Sequence, residues 1–350
     1  MPGTVIYADW KFTWSIPQLL GQGLVISFAN FRGDRVLYRA TQPYVLVPYH
    51  GNFPTFKDGL NPKCGAVPFK AMTPTAPNAP EWLIPPNDPM LNRYNFATND
   101  NQYDPNTNPA GAVMVEKLPA TETEPARAVV WAKLQAVNYQ YVHQWEFRAD
   151  GSIEAKVGLG GRLWTYNALT GGHIHNFYFR LDFDIVTFGN NLVQRFTHKG
   201  NNPGDDVWTD INVETKESVD PKSYMRWRVL NKTPKVNGQL RSYELIPNSD
   251  GAPDGTYSTG DLWVHRYDPT EDGSHVNCND LVLENLYASG QAVNGQDVVV
   301  WYCLRTHHAP RQLGEEKNVL PYEERSFHIE PRDFLDDTPK NLYATKPPSP

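Results

Sequence analysis

Residues 127–159 read RAVVWAKLQAVNYQYVHQWEFRADGSIEAKVGL, and this stretch decides the fold class. It is rich in valine and also contains tyrosine, tryptophan and phenylalanine, all of which are enriched in strands. Asp150-Gly151 interrupts the run with apolar residues on either side, which is a strong signal for a tight hairpin turn. The stretch therefore predicts antiparallel strands joined by a short turn.

Other short β-rich segments lie on both sides of this hairpin. A second turn is predicted at Gly33-Asp34, between GLVISFANF and DRVLYRA. The remaining predicted strands are 44–49, 173–188, 192–198, 224–230, 240–246, 262–267 and 297–305. The sequence shows no internal repeat and no convincing amphipathic helix. We therefore predict an all-β protein, one large antiparallel β-sandwich with long loops that forms a single domain over residues 1–340, followed by a tail at 341–350.

Bulk composition narrows the class of function. The formal net charge of −7 argues against a nucleic-acid partner, since such surfaces need a basic excess. The start of the chain, MPGTVIYADWKF, shows no signal peptide, and no apolar run is long enough to span a membrane, so we expect a cytoplasmic protein. Three cysteines, Cys64, Cys278 and Cys303, lack the close spacing of zinc or iron–sulfur sites. The Pro- and Asn-rich residues 51–125 are predicted to be a long, largely irregular cover over the β-core.

The segment HIHNFYFRLDFD, which begins at His173, places four potential metal ligands on one predicted strand. Side chains two apart in a strand point to the same side, so His173 and His175 share one face. Asp182 and Asp184 share the opposite face. Imidazoles suit copper, zinc or iron, whereas carboxylates suit calcium. Spacing alone leaves ordinary histidines, and a solvated aspartate face paired with Arg180, as open alternatives.

Several motifs, in the same order along the chain, resemble the catalytic domain of the copper amine oxidases. VNYQYVHQWEFRADGSI resembles the family's Asn-Tyr-acidic-Tyr segment, whose first tyrosine is oxidised to topaquinone. HIHNFYFRLDFD is similar to its His-x-His copper motif, and DVVVWYCLRTHHAPR to the stretch that holds the third copper histidine. GLVISFANFRGDRVLYRATQPYVLVPY and NVLPYEERSFHIEPRDFLDDTP resemble the opening and closing segments of the domain. The resemblance covers about 8–49 and 128–340, and it implies the family's β-supersandwich without its usual N-terminal domains.

The resemblance also implies roles for individual residues. The implied copper ligands are His173, His175 and His308. Tyr139 matches the topaquinone precursor, with Asn138 beside it in the cofactor motif. Tyr49 matches a tyrosine that hydrogen-bonds the cofactor, and Asp58 matches the catalytic base. A peripheral calcium site is implied, formed by the side chains of Asp182, Asp184 and Asp297 and the carbonyls of Phe183 and Val298.

The function that the resemblance implies is oxidation of a primary amine. The products would be an aldehyde, ammonia and hydrogen peroxide, with dioxygen as the second substrate and a homodimer as the assembly. Three features depart from the family: Gln140 replaces an acidic residue, the interval from Tyr49 to Asp58 is short, and residues 61–125 are dissimilar. These departures leave open a repurposed biosynthetic enzyme that catalyses a cyclisation or another non-oxidative step with Tyr139 unmodified. The retained histidines and Tyr139 make a purely binding protein the least favoured reading.

Overall fold

A computed structural model gives the architecture of most of the chain. It describes residues 3–16, 23–48, 56–59, 69–71, 113–136, 139–162, 173–198, 200, 202, 205–220, 223–249, 259–269, 289–308 and 319–336. Every secondary-structure element named in these ranges is a β-strand, which confirms the all-β prediction. Within the same ranges, no helix has the length and apolar character needed to cross a membrane.

Nineteen strands make up this part of the chain. In chain order they are β1 (Gly3–Tyr7), β2 (Trp10–Ser15), β3 (Val25–Phe31), β4 (Asp34–Val47), β5 (Phe56–Asp58), β6 (Lys70–Ala71), β7 (Val113–Leu118), β8 (Arg127–Ala136), β9 (Tyr139–Arg148), β10 (Ile153–Arg162), β11 (His173–Val186), β12 (Asn191–His198), β13 (Asp206–Ile211), β14 (Thr215–Glu217), β15 (Arg226–Pro234), β16 (Leu240–Ile246), β17 (Leu262–Arg266), β18 (Val298–His308) and β19 (Val319–Arg332).

The strands form two antiparallel sheets. In the first, the order is β1-β2-β3-β4-β11-β18-β17-β14, with β5 paired to β4. In the second, the order is β13-β12-β15-β16-β19-β10-β9-β8-β6, with β7 paired to β8. The long strands β11 and β9 lie inside their sheets, so each is held by neighbours on both sides.

The core of the sandwich lies between the two sheets. Alternate residues of β11, such as Phe177 and Phe179, face this core, and so do alternate residues of β9, such as Tyr141 and Trp145. The rings of Trp145 and Phe179 meet edge to face, with 5.9 Å between their centroids. Because the period of a strand is two, every odd-numbered residue of β9 and β11 is directed inward where the strand is regular. This alternation is what aims the candidate site residues of both strands at one another.

Both predicted hairpins are present. At the second one, the turn residues are Arg32 and Gly33, one position earlier than predicted, and both have positive φ angles, 52° and 95°. This is the conformation of the primed two-residue turns, which match the twist of the flanking strands. At Asp150-Gly151, the amide of Gly151 donates to the carbonyl of Arg148 and Gly151 has φ +91°.

Several strands were missed by the sequence prediction. Residues 51–125 were predicted to be largely irregular, but they contain β5, β6 and β7. The segments of β1, β2, β13, β14 and β19 were not predicted as strands either. The sequence of β19 contains many polar residues and two prolines, Pro321 and Pro331, so its local preference for a strand is weak. Pairing with β10 on one side and β16 on the other makes it a strand in the structure. The predicted tail at 341–350 lies outside the described residues.

Candidate metal and catalytic centre

Three histidines converge on the inner face of the first sheet. His173 and His175 stand two apart on β11, on the same side as the core residue Phe177. β18 runs antiparallel to β11 and places His308 directly opposite His173. Side chains opposite each other in such a pair have Cβ atoms about 5 Å apart. Strand alternation and strand register therefore bring the three predicted copper ligands together.

The three imidazoles have the geometry of a metal-ligand set. One nitrogen from each ring lies within 4.8 Å of the others, and all three side chains are buried. The Nε2 atoms of His173 and His175 are 3.0 Å apart. Burial lowers the pKa of His175 well below its ordinary value, and the neighbouring His173 and His308 lower it further. A neutral imidazole keeps the lone pair that binds copper, zinc or iron, and three clustered ring nitrogens fit the copper that the resemblance implies.

Tyr139 reaches the histidines from the opposite sheet. It is the first residue of β9, and its inward direction follows from the same alternation that buries Tyr141. Its hydroxyl lies 3.1 Å from His173 Nε2, and its ring centroid is 4.9 Å from that of His175. A tyrosine oxygen is thus in contact with the candidate metal ligand His173.

Asp58 joins the site through a row of paired residues across the first sheet. It pairs with Val45 of β4, which pairs in turn with Phe177 of β11, and both of these partners face the core. Asp58 is only 3% exposed, and Tyr141 donates its hydroxyl to Oδ2 at 2.6 Å. Burial raises the pKa of Asp58 to about 7, with the hydrogen bond from Tyr141 acting in the opposite direction. A carboxyl group with this pKa can exchange a proton near neutral pH.

Tyr141 links the two parts of the centre. Besides its hydrogen bond to Asp58, its hydroxyl lies 3.3 Å from Nδ1 of His175. The resemblance gave this residue no role, and its alternation with Tyr139 in the sequence is equally typical of ordinary packing. The contact of Tyr141 with the predicted base becomes visible only in the structure, where the pairing of β5 with β4 places Asp58 next to it.

Three aspartates gather on the outer face of β11 and β18. Carboxylate oxygens of Asp182, Asp184 and Asp297 lie within 4.8 Å of one another. Burial raises the pKa of Asp182 to about 6 and that of Asp297 to about 7, and for Asp297 the two other carboxylates add to the rise. Arg180 pairs with Asp182 at 3.3 Å, as the alternative reading of the sequence expected, but Asp182 is buried rather than solvated.

The two carbonyls expected at this acidic cluster belong to paired residues. Phe183 stands opposite Val298 in the β11–β18 register. The carbonyl of Phe183 accepts a hydrogen bond from Asn191 Nδ2 at 3.2 Å. A cation at this cluster would share that oxygen with Asn191.

Two predicted site residues, Tyr49 and Asn138, lie outside the described residues. One buried residue of the region was missed altogether: His143 follows Tyr139 and Tyr141 on the inner face of β9. Neither of its ring nitrogens has a hydrogen-bond partner in the described part of the chain, and burial lowers its pKa to about 3. Its position two residues after Tyr141 in the sequence was the available signal. Gln140, by contrast, has the opposite parity and points away from the histidines.

Comparison with known proteins gives a consistent result. A family model described as the enzyme domain of copper amine oxidase matches residues 116–347. The chain is 26% identical to the peroxisomal copper-containing amine oxidase alpha 2 of Arabidopsis thaliana and 24% identical to the primary amine oxidase of Pisum sativum. Each alignment covers 96% of this chain and 59% of the relative. A solved copper-containing benzylamine oxidase from Hansenula polymorpha has the same fold, with a TM-score of 0.69 and 18% identity over 96% of this chain and 60% of that one.

Proposed function

The chain belongs to the copper amine oxidase family, and from this membership and the geometry of the centre we propose that it oxidises a primary amine to an aldehyde. The observation that carries the proposal is that side chains from three strands, β11, β9 and β5, meet at one place. His173 contacts Tyr139, and Tyr141 holds Asp58 beside them. The balanced reaction consumes the amine, dioxygen and water, and releases the aldehyde, ammonia and hydrogen peroxide.

The proposed cofactors follow from the donor set. We assign copper to His173, His175 and His308, and we assign Tyr139 as the precursor of topaquinone. When bound, copper would exchange electrons with dioxygen, and the quinone would accept the electrons of the substrate. The Tyr139 hydroxyl stands 3.1 Å from Nε2 of the proposed copper ligand His173, and this contact supports the assignment.

The role proposed for Asp58 is to remove a proton from the carbon that bears the amine nitrogen. A general base works best when its pKa lies near the working pH, and burial raises the pKa of Asp58 to about 7. Tyr141 holds Oδ2, so we assign the proton transfer to Oδ1. The burial of Asp58, Tyr139 and Tyr141 keeps bulk water from competing for this proton.

The acidic cluster on the outer face has a separate proposed role. We assign it to a structural calcium ion, because hard cations prefer carboxylate and carbonyl oxygens and because three clustered carboxylates repel one another without one. The homodimer and the cytoplasmic location expected from the sequence stay predictions.

The proposal is tested by loading the metal-free protein with copper in air. We expect a mass increase confined to the peptide that contains Tyr139, a positive quinone stain, and peroxide on addition of primary amines. Tyr139→Phe is the matched control, since it keeps the ring and removes the oxygen, and it should give neither stain nor peroxide. An unmodified Tyr139 in protein with stoichiometric copper, together with no peroxide from a broad amine panel, would overturn the proposal. That result would favour the non-oxidative alternative.

A further inference from the structure

Tyr141 reaches from the second sheet to two strands of the first. It lies on β9 between β10 and β8, where it pairs with Leu159 and Leu134, and its side chain belongs to the core between the sheets. The residue is fully buried. The rings of Phe69 and Phe177 meet it edge to face, with centroid distances of 5.6 Å and 5.8 Å. Two strand pairings and core packing therefore set the position of its hydroxyl.

The hydroxyl of Tyr141 lies between a candidate metal ligand and the proposed base. It is 3.3 Å from Nδ1 of His175 on β11, and it donates to Oδ2 of Asp58 on β5 at 2.6 Å. A hydroxyl has one proton to donate and can also accept. Because the proton of Tyr141 is donated to the carboxyl group of Asp58, a hydrogen bond with His175 requires the imidazole proton to be on Nδ1.

The two histidines of β11 indicate the same tautomer. Nε2 of His175 lies 3.0 Å from Nε2 of His173, so these two atoms face each other within the cluster of candidate ligand nitrogens. A neutral histidine that binds a metal through Nε2 carries its proton on Nδ1. Donation of that proton to a neighbouring acceptor fixes the tautomer and the orientation of the ring. The oxygen of Tyr141 is in the position of this acceptor for His175.

We propose that Tyr141 is a positioning residue that couples the metal centre to the base. Its oxygen accepts the Nδ1 proton of His175 and so holds that imidazole with the Nε2 lone pair free for copper. Its proton holds Oδ2 of Asp58 and so leaves Oδ1 directed to the substrate. The inference rests on the proposed function for the roles of copper and of Asp58, and it adds that one hydroxyl orients both groups.

The first measurement is copper affinity, by chelator competition in a Tyr139→Phe background that cannot form the quinone. Tyr141→Phe keeps the ring and removes the hydroxyl, so copper binding should weaken about 10–100-fold, the usual cost of losing the partner of a metal-binding histidine. Tyr302→Phe is the matched control. It removes another buried hydroxyl, one that is hydrogen-bonded to Asn248 and Ser249, and it should leave the copper affinity unchanged.

The second measurement is the pH dependence of kcat/KM for amine oxidation. The hydrogen bond from Tyr141 lowers the pKa of Asp58, against the larger effect of burial. In Tyr141→Phe this hydrogen bond is lost and burial remains, so the pKa of Asp58 rises and the ionised base forms at higher pH. The rise of kcat/KM with pH should therefore move upward by about one pH unit, and Tyr302→Phe should not move it.

The outcomes separate this inference from the proposed function. Copper affinity in Tyr141→Phe equal to that of its parent would overturn the inference and leave the oxidase proposal intact. Equal weakening by Tyr141→Phe and Tyr302→Phe, or a pH profile that does not move, would overturn it as well. Weaker copper binding in Tyr141→Phe, from protein that oxidises no amine, would support the orientation of the ligand and refute the proposed function. Parent protein that binds no copper would overturn both.

Discussion

The inner and outer faces of β11 and β18 carry two clusters of opposite chemistry on the same pair of strands. The inner face holds three imidazoles next to the apolar core, and the outer face holds three carboxylates next to Arg180 and Arg35. The two clusters differ in strand parity, and seven residue positions along β11 separate Asp182 from His175, roughly 23 Å in an extended strand. One pair of strands can therefore position a soft-metal ligand set and a hard-cation ligand set without any additional element.

Burial lowers the pKa of a histidine on the inner face and raises the pKa values of aspartates on the outer face. In both cases it favours the neutral form of the side chain. It lowers the pKa of His175, which leaves the imidazole neutral and ready to bind a metal. It raises the pKa of Asp297 to about 7 and that of Asp182 to about 6, which works against their ionisation. Burial thus favours the metal-binding form of the inner histidine, whereas on the outer face it opposes the ionised form that would bind a cation.

The largest expected effect is a loss of catalytic activity, and it is expected for substitutions on the inner side of the sheet but not for those on the outer face. Asp58→Asn should reduce kcat by about 10²–10⁴-fold, the usual contribution of a general base, with copper content unchanged. In the wild-type protein kcat/KM should rise with pH and level off above about 7, because Asp58 must be ionised to accept a proton and burial raises its pKa to about 7. Steady-state peroxide release measured from pH 5 to 9 checks both statements.

Asp184→Asn on the outer face is the control for that experiment. It should leave kcat within a few-fold of wild type, because the carboxylates do not face the proposed reaction. A loss of activity as large as that of Asp58→Asn would show that the two faces do not act independently.

An intermediate effect is expected for calcium on the outer face. The carboxyl groups there have folded pKa values above the ordinary 3.8, so without a cation they lower stability as pH rises from about 4 to 7. Calcium should offset this, with a gain of about 3 kcal/mol at a hundredfold excess over Kd. Thermal melts should show a larger calcium-induced rise in Tm at pH 8 than at pH 5, and Asp297→Asn should reduce that rise. An equal rise at both pH values would contradict the ionisation argument.

The smallest expected effect concerns His143, which is buried but is not one of the three candidate metal ligands. Because burial lowers the pKa of His143 from 6.5 to about 3, the unfolded chain takes up a proton below pH 6.5 that the folded chain rejects. The stability of the wild-type protein should therefore fall as the pH drops from 6.5 towards 3. His143→Leu should flatten this dependence and, by removing two buried polar atoms, leave stability at pH 7 unchanged or raised by about 1 kcal/mol. Urea unfolding at several pH values measures it, and an unchanged acid slope in His143→Leu would contradict the assignment.

The sequence predicted the local features of this molecule better than the long-range ones. The hairpin of β9 and β10 and the opposite parity of His173 and Asp182 follow from turn chemistry and the two-residue period, and both are present. The meeting of Asp58 with Tyr141 depends on the pairing of β5 with β4, across the sheet from β11. No periodicity encodes such a pairing, so the sequence could name Asp58 only through a family resemblance and could not name its partner.

The central claim is that β11 and β18 hold copper on one face and calcium on the other. The direct measurement is the content of both metals, by elemental mass spectrometry, in protein loaded with copper and calcium and then desalted. Wild type should retain both, His173→Ala should lose copper and keep calcium, and Asp297→Asn should lose calcium and keep copper. Stoichiometric copper in His173→Ala, or loss of both metals from either variant while it stays folded, would contradict the account.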